Sequence, residues 1–368
     1  MIITQLLPSM RRAGAESVVA TFCKGLSHQG HKVHLIVLGG KCEYKTELTN
    51  KNIFVHELHL FNGVVHFYDW LLKRKIVTTL KKELVNIDPS IIHCHLSHSL
   101  LWLAASNFEL KGKVFFTAHG LDPALNKKDF KNTLRKINFL NAVKATNCKI
   151  IAVSDSVKKY YENSLSLDQK IDLLPNPIDL KYFKKTWKTE RNKNIKILGI
   201  GTLYPLKRFD NLLRAFSLFP SNLNVTLDIV GEGPLRRELE LLADGLNIRN
   251  KVNFQGSYND VRPFLHNASV LWHLSEREGC PMVILEAMAS GLPIIATDAP
   301  GTNEIIKNKV NGFLVPPDDI KSVKKITLVL LKNKHMLKRI AKHGQTTVGL
   351  YDQKQIVKKL EAIYLQKK

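Results

Sequence analysis

The feature that most constrains this chain is an alternation of short apolar runs with longer helical patterns, sustained over nearly all of its 368 residues. Runs rich in β-branched residues predict strands at 1–7, 32–39, 53–59, 91–95, 114–119, 150–154 and 171–174, and then at 195–200, 225–231, 252–255, 269–274, 293–297 and 312–315. Helical patterns lie between them, for example at 15–29, 66–86, 207–219, 234–247 and 282–290. Because strands that alternate with helices pair in parallel, the sequence predicts an α/β fold with two Rossmann-like domains.

The length fits two domains, since a domain takes about 150 residues. We place the first at 1–180 and the second at 190–350, followed by a C-terminal helical stretch at 351–368. The join falls within 176–194, a charged segment poor in apolar residues. Parallel sheets of this kind bind ligands at the carboxyl ends of their strands, so we expect a site in a cleft between the domains.

Composition excludes several protein classes. No apolar run approaches the roughly 18 residues that cross a bilayer. Arg11 and Arg12 follow the apolar N-terminal run, so that run predicts a first strand and not a signal peptide. The five cysteines are scattered, with no C-x-x-C pair, which excludes a disulfide framework or zinc site and favours a reducing, cytoplasmic location.

The formal net charge of +23 predicts contact with polyanions: nucleic acid, an anionic membrane face or phosphorylated substrates. The excess is spread along the chain, without a basic tail or an RNA-binding signature. We therefore expect no nucleic-acid partner.

One segment carries a recognisable chemistry. Pro281 suits the first turn of a helix, and Gly291 suits its end. Free backbone N–H groups near 281–283 would attract an anion. Glu278 lies just ahead of this helix start and Glu286 about one turn into the helix, and each carboxylate can accept hydrogen bonds from sugar hydroxyls. The arrangement suits a sugar–diphosphate–ribose ligand, the alternative being a helix cap and a surface glutamate.

The motifs around this segment match a known family in their order. They are Leu274-Ser-Glu-Arg-Glu-Gly-Cys-Pro-Met-Val-Ile-Leu-Glu-Ala-Met-Ala-Ser-Gly-Leu-Pro-Ile-Ile-Ala-Thr-Asp298, Gly201-Thr-Leu-Tyr-Pro-Leu-Lys207-Arg-Phe-Asp210, Ile229-Val-Gly-Glu-Gly-Pro-Leu235, Gly14-Ala-Glu16, Ile91-Ile-His-Cys-His95, Thr117-Ala-His119-Gly120 and Pro175-Asn-Pro-Ile-Asp179. Together they resemble the retaining glycosyltransferases of family 4, which have the two-domain GT-B fold. In relatives with this fold the last helix packs back on the first domain, so the resemblance implies the same for Gln353 to Tyr364.

The resemblance implies a role for four side chains. Glu286 would bind the donor ribose, and Glu278 would bind hydroxyls of the donor sugar. Lys207 would pair with the diphosphate, where an ammonium stabilises the charge that develops as the glycosidic bond breaks. His119 would lie near the transferred sugar. We therefore predict Glu278, Lys207 and His119 as the catalytic residues.

The remaining donor-binding residues also follow from the resemblance. They are Gly14, Gly201, Thr202, Arg208, Gly279, Cys280, Pro281, Met282 and Val283. The family commonly has an arginine where this chain has Thr202, and Arg208, beside Lys207, is the predicted compensation for that phosphate contact.

No metal and no cofactor are predicted, the nucleotide-sugar being a co-substrate linked to UDP or GDP. His93, Cys94, His95 and His98 lie together in sequence, but no acidic partner or C-x-x-C spacing accompanies them, so we predict structural roles. The chain also lacks a D-x-D motif, the usual means of holding a metal on a sugar-nucleotide diphosphate.

The predicted function is transfer of a hexose or N-acetylhexosamine, with retention, to a saccharide or lipid-linked acceptor in envelope polysaccharide, lipopolysaccharide or glycolipid biosynthesis. Two alternatives stay open: a sugar-nucleotide epimerase of GT-B architecture, and a non-catalytic protein that binds polyanions or membranes. A nicotinamide dehydrogenase is disfavoured because the glycine pairs Gly199/Gly201 and Gly231/Gly233 both lack the third glycine.

Two basic segments of the first domain bear on location. One combines Lys73-Arg-Lys75 with Lys81 and Lys82. The other, 127–144, repeats apolar residues every three or four positions beside basic ones, namely Phe130, Leu134, Ile137, Leu140 and Val143 with Lys127, Lys128, Lys131, Arg135, Lys136 and Lys144. Such a helix lies on an anionic membrane or turns its apolar stripe to the core. We hypothesise peripheral contact with the inner face of the cell membrane.

Overall fold

The computed structural model describes residues 1–61, 73–109, 111–122, 125, 129–165, 169–184 and 195–366. The chain divides into two compact units: unit 1 is Met1–Pro177 with Gln353–Lys368, and unit 2 is Ile178–Asp352. Some features predicted from the sequence lie outside the described residues, namely the start of the helix at 66–86, Lys127 and Lys128, and the charged stretch at 185–194.

The described part of unit 1 contains one sheet of seven strands. They are β1 (Ile2–Leu7), β2 (Lys32–Val37), β3 (Ile53–Glu57), β4 (Ile91–His95), β5 (Lys113–Ala118), β6 (Lys149–Ala152) and β7 (Asp172–Leu173). Their spatial order is β3-β2-β1-β4-β5-β6-β7, and every neighbouring pair is parallel. The winding changes direction between β1 and β4, so the loops after these central strands begin at the point where such sheets bind ligands.

Unit 1 contains helices between these strands and one further helix from the end of the chain. They are α1 (Gly14–His28), α2 (Lys73–Ile87), α3 (Ser97–Ala105), α4 (Phe130–Thr146) and α5 (Asp155–Leu165), and the last helix of the chain, α13 (Gln353–Leu365), belongs to the same unit. The side chain of Val357 in α13 packs on Gly25 of α1, where a β-carbon would collide with it. Tyr364, near the end of α13, is buried with its ring centroid 4.9 Å from that of Phe115.

Unit 2 repeats the architecture with six strands among its described residues. They are β8 (Ile195–Ile200), β9 (Val225–Val230), β10 (Val252–Gly256), β11 (Val270–His273), β12 (Ile294–Thr297) and β13 (Phe313–Val315), in the parallel order β10-β9-β8-β11-β12-β13. Its helices are α6 (Leu180–Phe183), α7 (Phe209–Ser217), α8 (Arg236–Gly245), α9 (Arg262–Asn267), α10 (Met282–Ala289), α11 (Ile320–Lys332) and α12 (Lys334–Val348). The predicted α/β fold with two parallel sheets is confirmed.

The predicted helix at 207–219 is wrong at its start. Residues Pro205–Lys207 form a 3₁₀ turn, and α7 begins only at Phe209. Arg208 between them adopts a left-handed conformation (φ 49°), which an α-helix cannot continue through. Lys207 therefore lies on a turn ahead of the helix.

The apolar stripe predicted at 127–144 is divided. Phe130, Leu134 and Ile137 in α4 are exposed, by 86%, 48% and 46%. Further along the helix, Phe139 and Val143 are buried. The first half of α4 thus leaves an apolar surface uncovered, while the second half packs on the core. Among the described residues, no helix combines the length and apolar character needed to cross a bilayer.

Candidate donor site

Three neighbouring strands of unit 2 precede the loops that carry the predicted donor residues of that unit. β8 and β11 lie side by side and parallel, with Val270 opposite Ile197, and β12 lies beside β11. The carboxyl ends of all three strands therefore meet at one edge of the sheet. The loops after β8 and β11 are also joined directly, because the Glu276 N–H donates to the Leu206 carbonyl at 2.9 Å.

Lys207 and Glu278, predicted from separate motifs, form an ion pair across these two loops. The Lys207 Nζ atom donates to Glu278 Oε1 at 2.6 Å. The Glu278 side chain is only 11% exposed, whereas that of Lys207 is 28% exposed. The lysine is thus the more accessible partner, placed to exchange the carboxylate for another anion.

His273 is a residue of this site that the sequence did not reveal. It ends β11 and is buried, and its Nε2 atom lies 3.0 Å from Glu278 Oε1. Burial alone would raise the pKa of Glu278, but His273 and Lys207 outweigh it and lower that pKa to about 2. Glu278 is therefore a carboxylate at any physiological pH. The only sequence signal for His273 is its position at the end of a buried strand, one residue before the motif that begins at Leu274.

The backbone after β12 fixes the loop that carries Glu278. The Glu278 N–H donates to the Pro300 carbonyl at 3.0 Å. Gly301 has a φ of +76°, and a β-carbon there would lie 2.5 Å from the carbonyl oxygens of both Glu278 and Gly279. Only glycine allows this approach without displacing the loop.

The start of α10 offers unpaired donors beside this loop. Pro281 is its N-cap residue and supplies no side-chain hydrogen bond, and no acidic residue lies in the first turn. The backbone N–H groups of Met282 and Val283 have no acceptor among the described residues. Pro281 and Cys280 are themselves buried, so they shape the turn. A helix start of this kind attracts an anion.

Glu286 lies in α10 and contrasts with Glu278. It is partly buried, and its carboxyl group has no hydrogen-bond or ion-pair partner among the described residues. Burial raises the pKa of Glu286 to about 7. A carboxylate without a protein partner is available to the hydroxyls of a ligand.

The other predicted donor residues have mixed surroundings. Thr202 is exposed, and no described residue bonds its hydroxyl. Arg208 makes ion pairs with Asp210 (3.2 Å) and Asp318 (2.9 Å), so a phosphate would have to displace a carboxylate from it. Gly201 begins the loop after β8. The prediction that Arg208 compensates for Thr202 stays a prediction.

Two predicted residues belong to unit 1. Gly14 is the first residue of α1, whose N-cap position has no side-chain hydrogen bond. His119 follows β5 directly, and its Nε2 atom lies 2.9 Å from Nδ1 of His95. Its Nδ1 atom is buried without a hydrogen-bond partner among the described residues. Burial lowers the pKa of His119 to about 4, so the imidazole is neutral at physiological pH.

The histidines in and after β4 are not arranged as metal ligands. Across the described part of the chain, no group of three or more histidine, cysteine or acidic side chains is positioned to hold a metal ion. His93 and His95 are instead fully buried and bonded to neighbouring protein side chains.

Comparison with known families agrees with this geometry. Residues 12–182 match the family described as Glycosyltransferase Family 4, and residues 182–347 match the family described as Glycosyl transferases group 1. The chain belongs to glycosyltransferase family 4. The family predicted from its motifs is thereby confirmed, and the protein is a glycosyltransferase.

Two relatives of this family-4 chain are similar to it over most of the length of both proteins. It is 27% identical to the N-acetyl-alpha-D-glucosaminyl L-malate synthase of Bacillus anthracis, over 95% of this chain and 93% of the relative. It is also 27% identical to the GalNAc-alpha-(1->4)-GalNAc-alpha-(1->3)-diNAcBac-PP-undecaprenol alpha-1,4-N-acetyl-D-galactosaminyltransferase of Campylobacter jejuni, over 90% of this chain and 89% of that one.

Among solved structures, Anabaena HepE in complex with UDP and glucose superposes with a TM-score of 0.83 at 21% identity, covering 100% of both chains. WaaG, a glycosyltransferase involved in lipopolysaccharide biosynthesis, gives a TM-score of 0.78 at 17% identity, again over 100% of both chains. Similarity at this level shows the fold, which is GT-B as predicted.

Proposed function

We propose that this protein transfers a hexose or N-acetylhexosamine from a UDP- or GDP-linked donor, with retention of anomeric configuration. The observation that carries the proposal is the Lys207–Glu278 ion pair beside the uncapped start of α10. The loops of unit 2 thus place a cation, a permanently ionised carboxylate and free backbone donors at one sheet edge. A sugar diphosphate has groups complementary to all three.

Donor binding would rearrange the ion pair. Lys207 moves from Glu278 to the diphosphate, assisted by the backbone N–H groups of Met282 and Val283. Glu278, released from the lysine, accepts hydrogen bonds from hydroxyls of the sugar. Glu286 accepts hydrogen bonds from the ribose hydroxyls. Its carboxylate has no other hydrogen-bond partner among the described residues. The Anabaena HepE complexes with UDP and with UDP-glucose make UDP-glucose the first donor to test.

In the transfer step, the bond between the anomeric carbon and the diphosphate oxygen breaks while the acceptor oxygen bonds to the same carbon from the same face. The electron pair of the broken bond stays on the diphosphate, where Lys207 and the α10 N–H groups stabilise the added charge. The proton of the acceptor hydroxyl passes to a phosphate oxygen of the leaving group. This scheme requires no metal ion.

The acceptor is proposed to be a saccharide, or a lipid-linked saccharide at an anionic membrane surface. The Campylobacter jejuni relative is named for an undecaprenol-linked acceptor. In α4 the exposed Phe130, Leu134 and Ile137 share the helix with Lys131 and other basic residues. With a net charge of +23, this surface suits attachment to the cytoplasmic side of a membrane.

Vesicle co-sedimentation tests the membrane contact. We expect binding to phosphatidylglycerol-containing vesicles at low salt, release at high salt, and a clear loss of binding in Phe130→Ser/Leu134→Ser. Leu241→Ser, which removes a side chain 63% exposed on α8 of unit 2, is the matched control and should bind like the unaltered protein. A protein that ignores anionic vesicles, or that high salt does not release, would refute this part.

A panel of UDP- and GDP-sugars tests the function itself. We expect one donor to raise the thermal midpoint, to be hydrolysed slowly alone and to be transferred to an added acceptor, with NMR showing the donor's anomeric configuration in the product. Glu286→Ala should abolish the thermal shift. An epimerised sugar would indicate an isomerase, and no binding by any donor would indicate a non-catalytic protein.

A further inference from the structure

A continuous chain of side-chain hydrogen bonds runs through the buried centre of unit 1 and ends at His119. Its members come from the adjacent strands β1, β4 and β5, from the residue after β5 and from α13. In order they are Thr117, His93, Tyr364, Gln5, His95 and His119, with successive separations of 2.7, 2.6, 3.2, 2.7 and 2.9 Å. All but His119 are at most 2% exposed.

The placement of the Gln5 amide indicates the direction in which this chain donates. At 2.6 Å, the contact between the Tyr364 hydroxyl and His93 Nδ1 is within the ordinary range for an O–H donor, and donation by Tyr364 leaves its oxygen available to Gln5. The phenol oxygen is then an acceptor toward Gln5. The 3.2 Å contact fits an amide N–H from Gln5 Nε2.

This orientation of Gln5 determines the protons on both histidines beyond it. With its amide nitrogen toward Tyr364, Gln5 presents Oε1 to His95 Nε2 at 2.7 Å, so His95 carries its proton on Nε2. A neutral His95 then has a lone pair on Nδ1, which accepts the Nε2 proton of His119. Burial lowers the pKa of His93 to about 3 and holds that of His95 well below its usual range, so the chain stays neutral.

At the end of this hydrogen-bond chain, the Nδ1 atom of His119 is an acceptor to which no described residue donates. His119 keeps its proton on Nε2, which leaves the lone pair on Nδ1, the atom that is buried without a partner among the described residues. A buried acceptor in this state calls for a donor from a ligand. A hydroxyl is the matching group, since it is neutral and donates one hydrogen bond.

We propose that Gln5, His95, His93 and Tyr364 are positioning residues that hold His119 in its Nε2–H form, so that Nδ1 accepts a hydrogen bond from a substrate hydroxyl. The identity of that hydroxyl as one on a sugar rests on the proposed function. The C-terminal helix would thereby act in the reaction, because Tyr364 sets the direction of a hydrogen-bond chain that ends at His119, 245 residues earlier in sequence.

Two-bond ¹H–¹⁵N spectra of histidine-labelled full-length protein test the tautomer directly. The His119 signals are assigned by their disappearance in His119→Gln. We expect His119 to be neutral between pH 6 and 8, with a protonated Nε2 and a lone pair on Nδ1. A proton on Nδ1, or an imidazolium, in the unaltered protein would overturn the proposal without any variant having to fold.

Tyr364→Phe tests the link to the far end of the chain. It deletes only the hydroxyl that orients Gln5, so we expect the His119 spectrum to change to a mixture of tautomers. We expect kcat for transfer to fall about tenfold, the effect of one well-placed hydrogen bond, while the Kd for free UDP stays within twofold. Tyr161→Phe is the control, because Tyr161 is also buried in unit 1 but its hydroxyl is outside the chain.

The outcomes separate this proposal from the proposed function. An unchanged His119 spectrum or unchanged kcat in Tyr364→Phe would refute the positioning role while leaving the transferase intact. If no nucleotide-sugar binds the unaltered protein, the proposed function fails, and the NMR spectra still decide whether the tautomer is fixed as stated.

Discussion

The two units share an architecture, but the side chains at their central strands differ: they are charged in unit 2 and neutral in unit 1. In unit 2 the loops after the central strands hold an ionised pair, Lys207 and Glu278, next to unpaired helix N–H groups. In unit 1 the central strands hold neutral histidines in a chain that ends at His119, whose Nδ1 atom has no hydrogen-bond partner among the described residues. Sheet topology thus sets where each group of side chains lies, and the side chains set whether that place is charged or neutral.

The same contrast recurs within unit 2, between two glutamates eight residues apart. Glu278 is surrounded by His273 and Lys207, which lower its pKa to about 2 against the effect of burial. Glu286 has burial alone, which raises its pKa to about 7. The ionised form of Glu278 is thus stabilised by neighbouring side chains, whereas that of Glu286 has no such partner among the described residues.

The largest effect is expected from removing the charge of unit 2. Lys207→Ala should lower kcat by about 10²–10³-fold, because the departing diphosphate loses its only side-chain cation in the proposed mechanism. Steady-state transfer assays measure this loss, with Lys325→Ala as a surface-lysine control expected to behave normally. Activity within about fivefold of the unaltered protein would show that the helix start alone holds the leaving group.

The raised pKa of Glu286 predicts a pH dependence of donor binding. If ionised Glu286 binds the ribose, affinity should be about tenfold weaker at pH 6 than at pH 8, since a pKa near 7 leaves little carboxylate at the lower pH. Calorimetry with an intact nucleotide-sugar measures this, because its diphosphate diester does not titrate in that range. Glu286→Gln should bind weakly at both values, and a flat profile in the unaltered protein would remove Glu286 from the site.

The free energy of unfolding should depend on pH in opposite senses through Glu286 and Glu278. The raised pKa of Glu286 means that the fold favours its protonated form, so this contribution is lost as pH rises toward 7. The lowered pKa of Glu278 means that its contribution is present above the usual glutamate range and is lost as pH falls toward 2. Denaturant unfolding across pH, compared with Glu286→Gln, should show the Gln variant relatively more stable at pH 8 than at pH 5.

A smaller effect tests the backbone that supports Glu278. Gly301→Ala should lower the free energy of unfolding by about 1–3 kcal/mol, because its β-carbon meets two carbonyl oxygens at a positive φ. Gly245→Ala in α8 is the matched control, since its β-carbon meets nothing within 4 Å, and it should be neutral or slightly stabilising. Equal stability of the two variants would mean that this loop is not held as described.

The smallest effect concerns the residue that departs from the family. Thr202 is exposed, and Arg208 is occupied by Asp210 and Asp318. Thr202→Arg should therefore tighten UDP binding only severalfold, by adding one partly solvated charge contact. Thr202→Gln, similar in reach but neutral, should not. Equal affinity of both variants would mean that the diphosphate does not approach this position.

Much of this fold follows from local pattern, and the charged site follows in part. β-branched runs and helical periodicity predict the strands and most of the helices, and the family motifs single out Lys207 and Glu278, which the structure joins in an ion pair. The missing parts are long-range contacts. His273 looks like a core residue until β11 is set beside the Glu278 loop. Likewise, the contact between Arg208 and Asp318 and that between Gln5 and Tyr364 join residues that no periodicity connects.

The most direct test of the division between charge and hydroxyl is UDP titration into Lys207→Ala and His119→Ala by calorimetry, with GDP used instead if the screen identifies it. We expect Lys207→Ala to weaken binding of the free nucleotide by at least about tenfold, and His119→Ala to bind it like the unaltered protein and lose affinity only for the intact nucleotide-sugar. Equal weakening of nucleotide binding by both substitutions would contradict this division.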